Sequence, residues 1–323
     1  MKSKLFFILK IIVSLGLLAL IFFHVDIDRA WRQFQTLRLS FLGFALLYYT
    51  GLQWLSCLRW QIILRSANHL VPMSSLLSSY FAGMFLNFFL PSSLGGDVYR
   101  IYRIANATQD SETAVVSVFL ERFTGLAALS ALAVLGLPPV FKVVGRWDIV
   151  ILFLGCVAAL VGGVLLIVSP RLLIWAEPWL QKLRLNSLAA RLAKIQLLLR
   201  QFAQHRQALL KSIGLSFLLQ LGIVYYHYWV AQNLSIFISF WNLLVFIPII
   251  SVVTLIPISL GGLGLKEGLW VYLLGRVALS SEQALLLSLT ITLLAWLLSL
   301  PGGVILLLDL AGFQQGRQEK LKG

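Results

Sequence analysis

From Ser212 to Leu265 the chain runs for 54 residues without one Asp, Glu, Lys or Arg. A bilayer crossing takes roughly 20 apolar residues, so this run holds two crossings, or one crossing and a helix that enters and turns back. Leu39–Leu58, Ile149–Ser169 and Gln283–Leu308 are equally clean. Charged residues make up only 12% of the 323 positions, about half the share of a soluble domain. Mean hydropathy is +0.90. These values specify an integral membrane protein. Lipid offers no partner for backbone polar groups, and runs of this length satisfy them as helices, so the fold class is all-α and polytopic.

One short phrase occurs twice. Pro91-Ser92-Ser93-Leu94-Gly95-Gly96 is answered by Pro257-Ile258-Ser259-Leu260-Gly261-Gly262. Each copy follows an apolar run and precedes a polar helix start, with Arg100 after the first and Lys266-Glu267 after the second. Proline and paired glycines interrupt a helix, and paired interruptions in two halves mark a site built from discontinuous helices. Gly95, Gly96, Gly261, Gly262 and Gly264 are read as turn residues, with close helix packing as the other role small residues serve in lipid. Asn87 lies one turn before Pro91, where its amide is placed to satisfy a carbonyl freed by the proline.

Charge sets the topology. Eight of the 26 basic residues lie in Arg171–Lys211 against one acid, Glu177, and short Lys/Arg-rich loops stay cytoplasmic. Leu185, Leu188, Leu192, Ile195, Leu199 and Phe202 give this loop one apolar helical stripe, suited to the membrane surface or to packing on the protein. The net charge of +14 therefore points to an anionic leaflet and not to nucleic acid, since no aromatic-basic platform accompanies it. The basic start Met1–Lys10 and apolar Ile11–Phe23 lead into His24-Val25-Asp26 without a cleavage site, so Leu5–Phe23 is expected to be a retained span.

Counting crossings from a cytoplasmic N-terminus keeps the basic loop inside only if residues 72–104 enter and return. The expected architecture is about six full spans plus two re-entrant or broken elements, 72–104 and 241–274, dipping from opposite faces as an inverted repeat. Eight full spans are the alternative. The chain then divides into a first half, 1–170, a basic amphipathic loop, 171–211, and a second half, 212–323. Arg59 and Arg65 are delivered to the cytoplasm on this count, and both termini lie there.

Glu121-Arg122 interrupts the apolar stretch from Thr113 to Phe141. A charge at a helix centre costs about 2.5–3.5 kcal/mol, and neighbours in sequence point about 100° apart. Each therefore needs its own partner, and Arg100, Arg103, Lys266 and Glu267 are the expected ones. Such a group either clamps helices together or lines a polar pocket for a headgroup. The helix N-termini after each Gly-Gly would present N–H groups suited to a phosphate. Cys57 and Cys156 read as small core residues, and no metal or cofactor pattern is present.

Three motifs in order, Asn87-x-x-x-Pro91-x-x-x-Gly95-Gly96-Asp97-x-x-Arg100, Glu121-Arg122-x-x-Gly125 and Pro257-x-Ser259-x-Gly261-Gly262-x-Gly264-x-Lys266-Glu267-Gly268, resemble the lysylphosphatidylglycerol synthase transmembrane region family. The resemblance covers nearly the whole chain and implies a flippase-like protein of the cell membrane. Fused members carry an aminoacyl transferase and some relatives a glycosyltransferase; neither is seen here, so enzymatic lipid synthesis is not implied. The resemblance leads us to expect translocation or binding of a phosphate-bearing lipid, an anionic or modified phospholipid or a glycolipid. Arg100, Arg122 and Lys266 are expected to face the phosphate, and Glu121 and Glu267 to balance charge or meet a cationic headgroup. A scaffold presenting lipid to a separately encoded transferase needs the same pocket and is the second reading. An intramembrane enzyme is the weakest, because Glu121 and isolated His227 supply no catalytic set.

Overall fold

The computed structural model describes residues 38–89, 95–144, 204–255 and 262–322, with shorter pieces between 147 and 162 and between 194 and 202. The expected first span, Pro91, Pro257, Gly261, Cys156 and most of the basic loop lie outside the described residues. The main elements are α1 (Leu39–Ser66), α2 (Met73–Phe89), α3 (Gly95–Thr108), α4 (Ser111–Val144), α5 (Arg206–Asn233), α6 (Phe240–Val253), α7 (Leu265–Gly275) and α8 (Ser281–Lys322). No strand occurs among the described residues.

Four helical segments are long and apolar enough to cross a bilayer: Leu39–Ser66, Ser111–Pro138, Arg206–Asn233 and Ser281–Asp309. At 1.5 Å per residue, 28 residues reach about 42 Å, beyond a hydrocarbon core of about 30 Å. Their outer faces carry exposed Phe44, Leu47 and Trp54 on α1, Leu218 and Leu221 on α5, and Leu307 and Leu308 on α8. An apolar surface of this extent suits lipid and not water. The protein is a multi-pass, all-helical membrane protein.

The interior divides around the two broken elements. The largest core joins α1, α4, α5, α7 and α8 around α6, whose Leu243, Val245, Phe246 and Ile249 are fully or almost fully buried. A smaller core of Cys57, Trp60, Leu64, Leu76, Ile104 and Val118 holds α2 and α3 against α1 and α4. Cys57 is thus a buried small residue with a free thiol, as its position in an apolar run suggested.

Helices α2 and α3 form an antiparallel hairpin. Gly96 lies against Gly83, and Arg103 Nη1 donates to Ser78 Oγ at 3.0 Å, so residues further along α3 meet residues further back along α2. The two outer ends of the hairpin meet at one end of the bundle, where His69 Nε2 lies 3.5 Å from Asp110. Ser66, Asn68, Asp110 and His205 line one cavity there, so the end of α1 and the starts of α4 and α5 share that end. The apolar segment of α8 ends beside α3: Tyr99 donates to Asp309, and Arg103 lies 3.7 Å from the same carboxylate. The described part of the basic loop packs on the protein there, with Leu199 and Phe202 buried against Ile63, Val116 and Leu120.

Helix α4 starts with an N-cap. Asp110 accepts the Thr113 amide at 3.0 Å and the Thr113 hydroxyl at 2.8 Å. Burial alone would raise the Asp110 carboxyl, but the two Thr113 donors, with Lys194 and His69 nearby, outweigh it and hold the group below the usual aspartate range.

Candidate functional site

Five charged side chains from three helices meet around Glu121. Its carboxylate takes Arg59 Nη2 from α1 at 2.7 Å, Arg100 from α3, and the Tyr80 hydroxyl from α2. Asp97, one turn before Arg100, accepts Arg122 through Nε at 2.8 Å and Nη2 at 3.0 Å, and Arg100 Nη1 at 3.2 Å. The Arg100 guanidinium also sits over the rings of Trp60, 4.1 Å from the centroid, and Tyr80, 3.9 Å. Arg59 Nη1 donates to Ser216 on α5 at 2.9 Å.

Depth makes this arrangement necessary. Glu121 is the eleventh residue of the 28-residue apolar segment Ser111–Pro138, about 15 Å in by helical rise. An unpaired charge there is strongly unfavourable, whereas ion pairs with further hydrogen bonds are tolerated. Glu121, Arg59 and Arg100 are at most 4% exposed. The side chain of Arg122 differs, with 42% of its surface open. Three guanidiniums face two carboxylates, Asp97 and Glu121, which leaves one positive charge in excess within the cluster.

This corrects two expectations. Arg59 is not a cytoplasmic loop residue; it lies inside α1, seven residues before its end, and is drawn inward by Glu121. Of the four partners expected for Glu121-Arg122, Arg100 is found, while Arg103 turns to Ser78 and Asp309 and the Lys266-Glu267 pair forms a separate group. Asp97 and Tyr80 were missed as partners, although Asp97 stands inside the first motif.

The second group lies at the start of α7. Glu267 is fully buried, accepts the Gly264 amide at 2.7 Å and is approached by Ser288 Oγ at 3.3 Å. It caps its own helix from the third position, the half of a capping box that a glycine N-cap permits. Lys266 Nζ donates to Thr292 on α8 at 2.8 Å. Gly262 and Gly264 have φ of +82° and +80°, which a side chain resists, so the turn reading holds there.

At Gly96 packing is what requires glycine. Gly95 and Gly96 are helical, and a Cβ on Gly96 would overlap the Gly83 carbonyl of α2. Asn87 has a capping role of the opposite sense to the one expected. Its Oδ1 accepts the Gly96 amide at 2.7 Å, so it caps the returning helix instead of donating to a carbonyl. The amides at Gly96 and Gly264 are therefore already taken by side chains.

A cavity of about 150 Å³ joins the two elements. Asn87 and Phe88 line it from the end of α2, Gly262, Lys266 and Glu267 from the second break, and Thr292 and Ala295 from α8. Thr292 is the twelfth residue of the 29-residue apolar segment Ser281–Asp309, close to its middle. The ion cluster adjoins this cavity through Asn87, the Gly96 amide and Asp97. No cluster of metal-ligating residues occurs among the described residues.

The sequence model of the lysylphosphatidylglycerol synthase TM region matches residues 7–303. No curated protein and no solved structure matches the chain. The chain belongs to the lysylphosphatidylglycerol synthase transmembrane region family.

Proposed function

We propose that this member of the lysylphosphatidylglycerol synthase transmembrane family translocates a lipid with a phosphate-bearing headgroup between leaflets. The observation that carries the reading is the cavity between the end of α2 and the start of α7, walled by Lys266 and adjoining a cluster with one surplus guanidinium charge. Low-dielectric surroundings strengthen the attraction of such a charge for an anion. Lys266 and the open side of Arg122 are the cations for that headgroup. Arg100 and Glu121, paired within the cluster, hold the helices that frame it.

The contact pattern supports a re-entrant topology. Both ends of the α2–α3 hairpin lie at the end of the bundle carrying Asp110 and His205. Helix α5 starts at that end and α8 finishes toward it. Helix α6, which follows α5, and α7, which precedes α8, then open from the other end. Six full spans and two elements entering from opposite faces account for this, with Arg65, Arg103, Lys194, Arg200 and Arg206 gathered on the cytoplasmic side of the cell membrane. Rocking of the broken elements against the intact helices would open the cavity to either leaflet in turn.

The test is leaflet exchange by the purified chain in vesicles carrying fluorescent phosphatidylglycerol. Exchange that falls several-fold in Lys266→Ala and Arg122→Ala, with both variants folded, is the expected result. Vesicles that show no exchange above protein-free controls, with lipid bound in fixed stoichiometry and a transferase co-purifying, would favour the scaffold reading.

A further inference from the structure

A further cavity, lined by apolar and polar side chains, lies apart from the breaks. It holds about 90 Å³ between α1, α5 and α8 and is lined by Tyr49, Gln53, Ser56, Tyr226, His227 and Ile291, with two leucines. Space on this scale takes a few water molecules if polar partners surround them. The partners are there. Tyr226 is 2% exposed, and its buried hydroxyl has no protein partner. Gln53 and Ser56 are 8% and 5% exposed. Buried hydroxyls seldom remain unsatisfied, so Tyr226 calls for water.

His227 lines this cavity and carries a basic ring nitrogen. Its Nδ1 lies 2.8 Å from the Ile223 carbonyl. A carbonyl only accepts, so Nδ1 carries the hydrogen and Nε2 keeps the lone pair. The ring stacks on Trp270 of α7, with centroids 6.0 Å apart and planes 23° from parallel. Lys266 stands one turn before Trp270, on the same face of that helix. Tyr49 from α1 and Tyr226 from α5 are the other titratable groups facing it. Helix α8 presents Ile291, α6 has no titratable residue, and the mid-depth charges of α4, Glu121 and Arg122, are engaged in the ion cluster.

We propose that this cavity is a hydrated proton-binding site whose occupancy is felt at the second break. A hydronium in the cavity gives one proton to His227 Nε2 and remains as water. The resulting imidazolium repels the Lys266 ammonium at the start of α7, so protonation weighs on the residue that walls the lipid cavity. The site itself does not depend on lipid movement, and it can be tested without it.

The experiment is histidine ¹⁵N NMR on the full chain in phosphatidylglycerol-containing nanodiscs, with His227→Gln identifying the signal. The expected result is a neutral Nδ1–H ring at high pH that titrates on acidification. Lys266→Met should raise the midpoint through loss of a like charge, and Tyr226→Phe should lower it by removing a hydrated partner. A His227 signal that stays neutral down to the point of unfolding would overturn the proposal, as would a midpoint unmoved in Lys266→Met. Should His227→Gln fail to fold, replacing His24, His69 and His205 with Gln leaves one histidine and assigns the same signal. Lipid exchange can fail while this titration succeeds, so the two readings fall separately.

Discussion

The α2–α3 and α6–α7 elements carry the same Pro-x-Ser-Leu-Gly-Gly phrase and use its second half in different ways. In the first, Gly96 is helical and lets two backbones touch, and the return helix brings Asp97 and Arg100 into a buried ion cluster. In the second, Gly262 and Gly264 take left-handed φ values, and the return helix is capped by its own Glu267. One break is held by packing and charge, the other by backbone conformation. A repeated motif therefore specifies where a helix is interrupted, while the neighbours of each copy decide what glycine is needed for.

The sharpest way to break this distinction is to neutralise the acid in each element. Glu121→Gln leaves Arg59 and Arg100 buried without their carboxylate, and loss of about 3–5 kcal/mol is expected, as for other broken buried pairs. Glu267→Gln keeps an oxygen able to accept the Gly264 amide and should cost about 1 kcal/mol. Thermal melts of both purified variants in detergent decide it; equal losses would erase the contrast. Next in size is Gly96→Ala, where the new methyl must push α3 away from Gly83, at about 1–3 kcal/mol. Gly268→Ala in the second return helix meets nothing within 4 Å and should stay within about 0.5 kcal/mol. Gly264→Ala comes third, about 1–2 kcal/mol from the strained φ, and its melt should drop accordingly.

The smallest effect concerns the anchored end of the first element. Folding depresses the Asp110 carboxyl, so its contribution is complete above the ordinary aspartate range and disappears as pH falls through the lower folded value. Asp110→Asn still caps α4 but lacks the carboxylate's contribution, so its melting temperature near neutral pH should fall slightly and converge with the parent's in acid. Its decline below about pH 4 should be shallower than that of the parent chain. A stability profile measured from neutral to acidic pH checks this.

Much of this was legible in the chain. The uncharged runs Leu39–Leu58, Ser212–Leu265 and Gln283–Leu308 overlap the apolar segments Leu39–Ser66, Arg206–Asn233 and Ser281–Asp309. The stretch from Thr113 to Phe141, interrupted only by Glu121-Arg122, likewise overlaps Ser111–Pro138, because length and lipid leave helices no competitor. Asn87 and Gly264 were singled out by the motif: Asn87 accepts the Gly96 amide at the start of α3, and Gly264 is the N-cap of α7. What escaped was partnership across distance. Arg59 sits near the end of its uncharged run and looked like a loop residue, yet Glu121, 62 positions away, draws it into the bundle. Tyr80 carries no charge and lies in an ordinary apolar helix, so nothing local marked it as a ligand of that carboxylate. The difference between Gly96 and Gly264 was equally hidden, since each is decided by a neighbour or by a turn that the phrase does not encode.

Helix α8 has a further consequence. Its Ser288 and Thr292 hold the second break through Glu267 and Lys266, while its Gly302 presses on the Phe81 backbone and Asp309 ties to Tyr99 and Arg103 of the first. A slide of this one rod by a single turn would disturb both interruptions together, giving the two halves a shared mechanical link along α8.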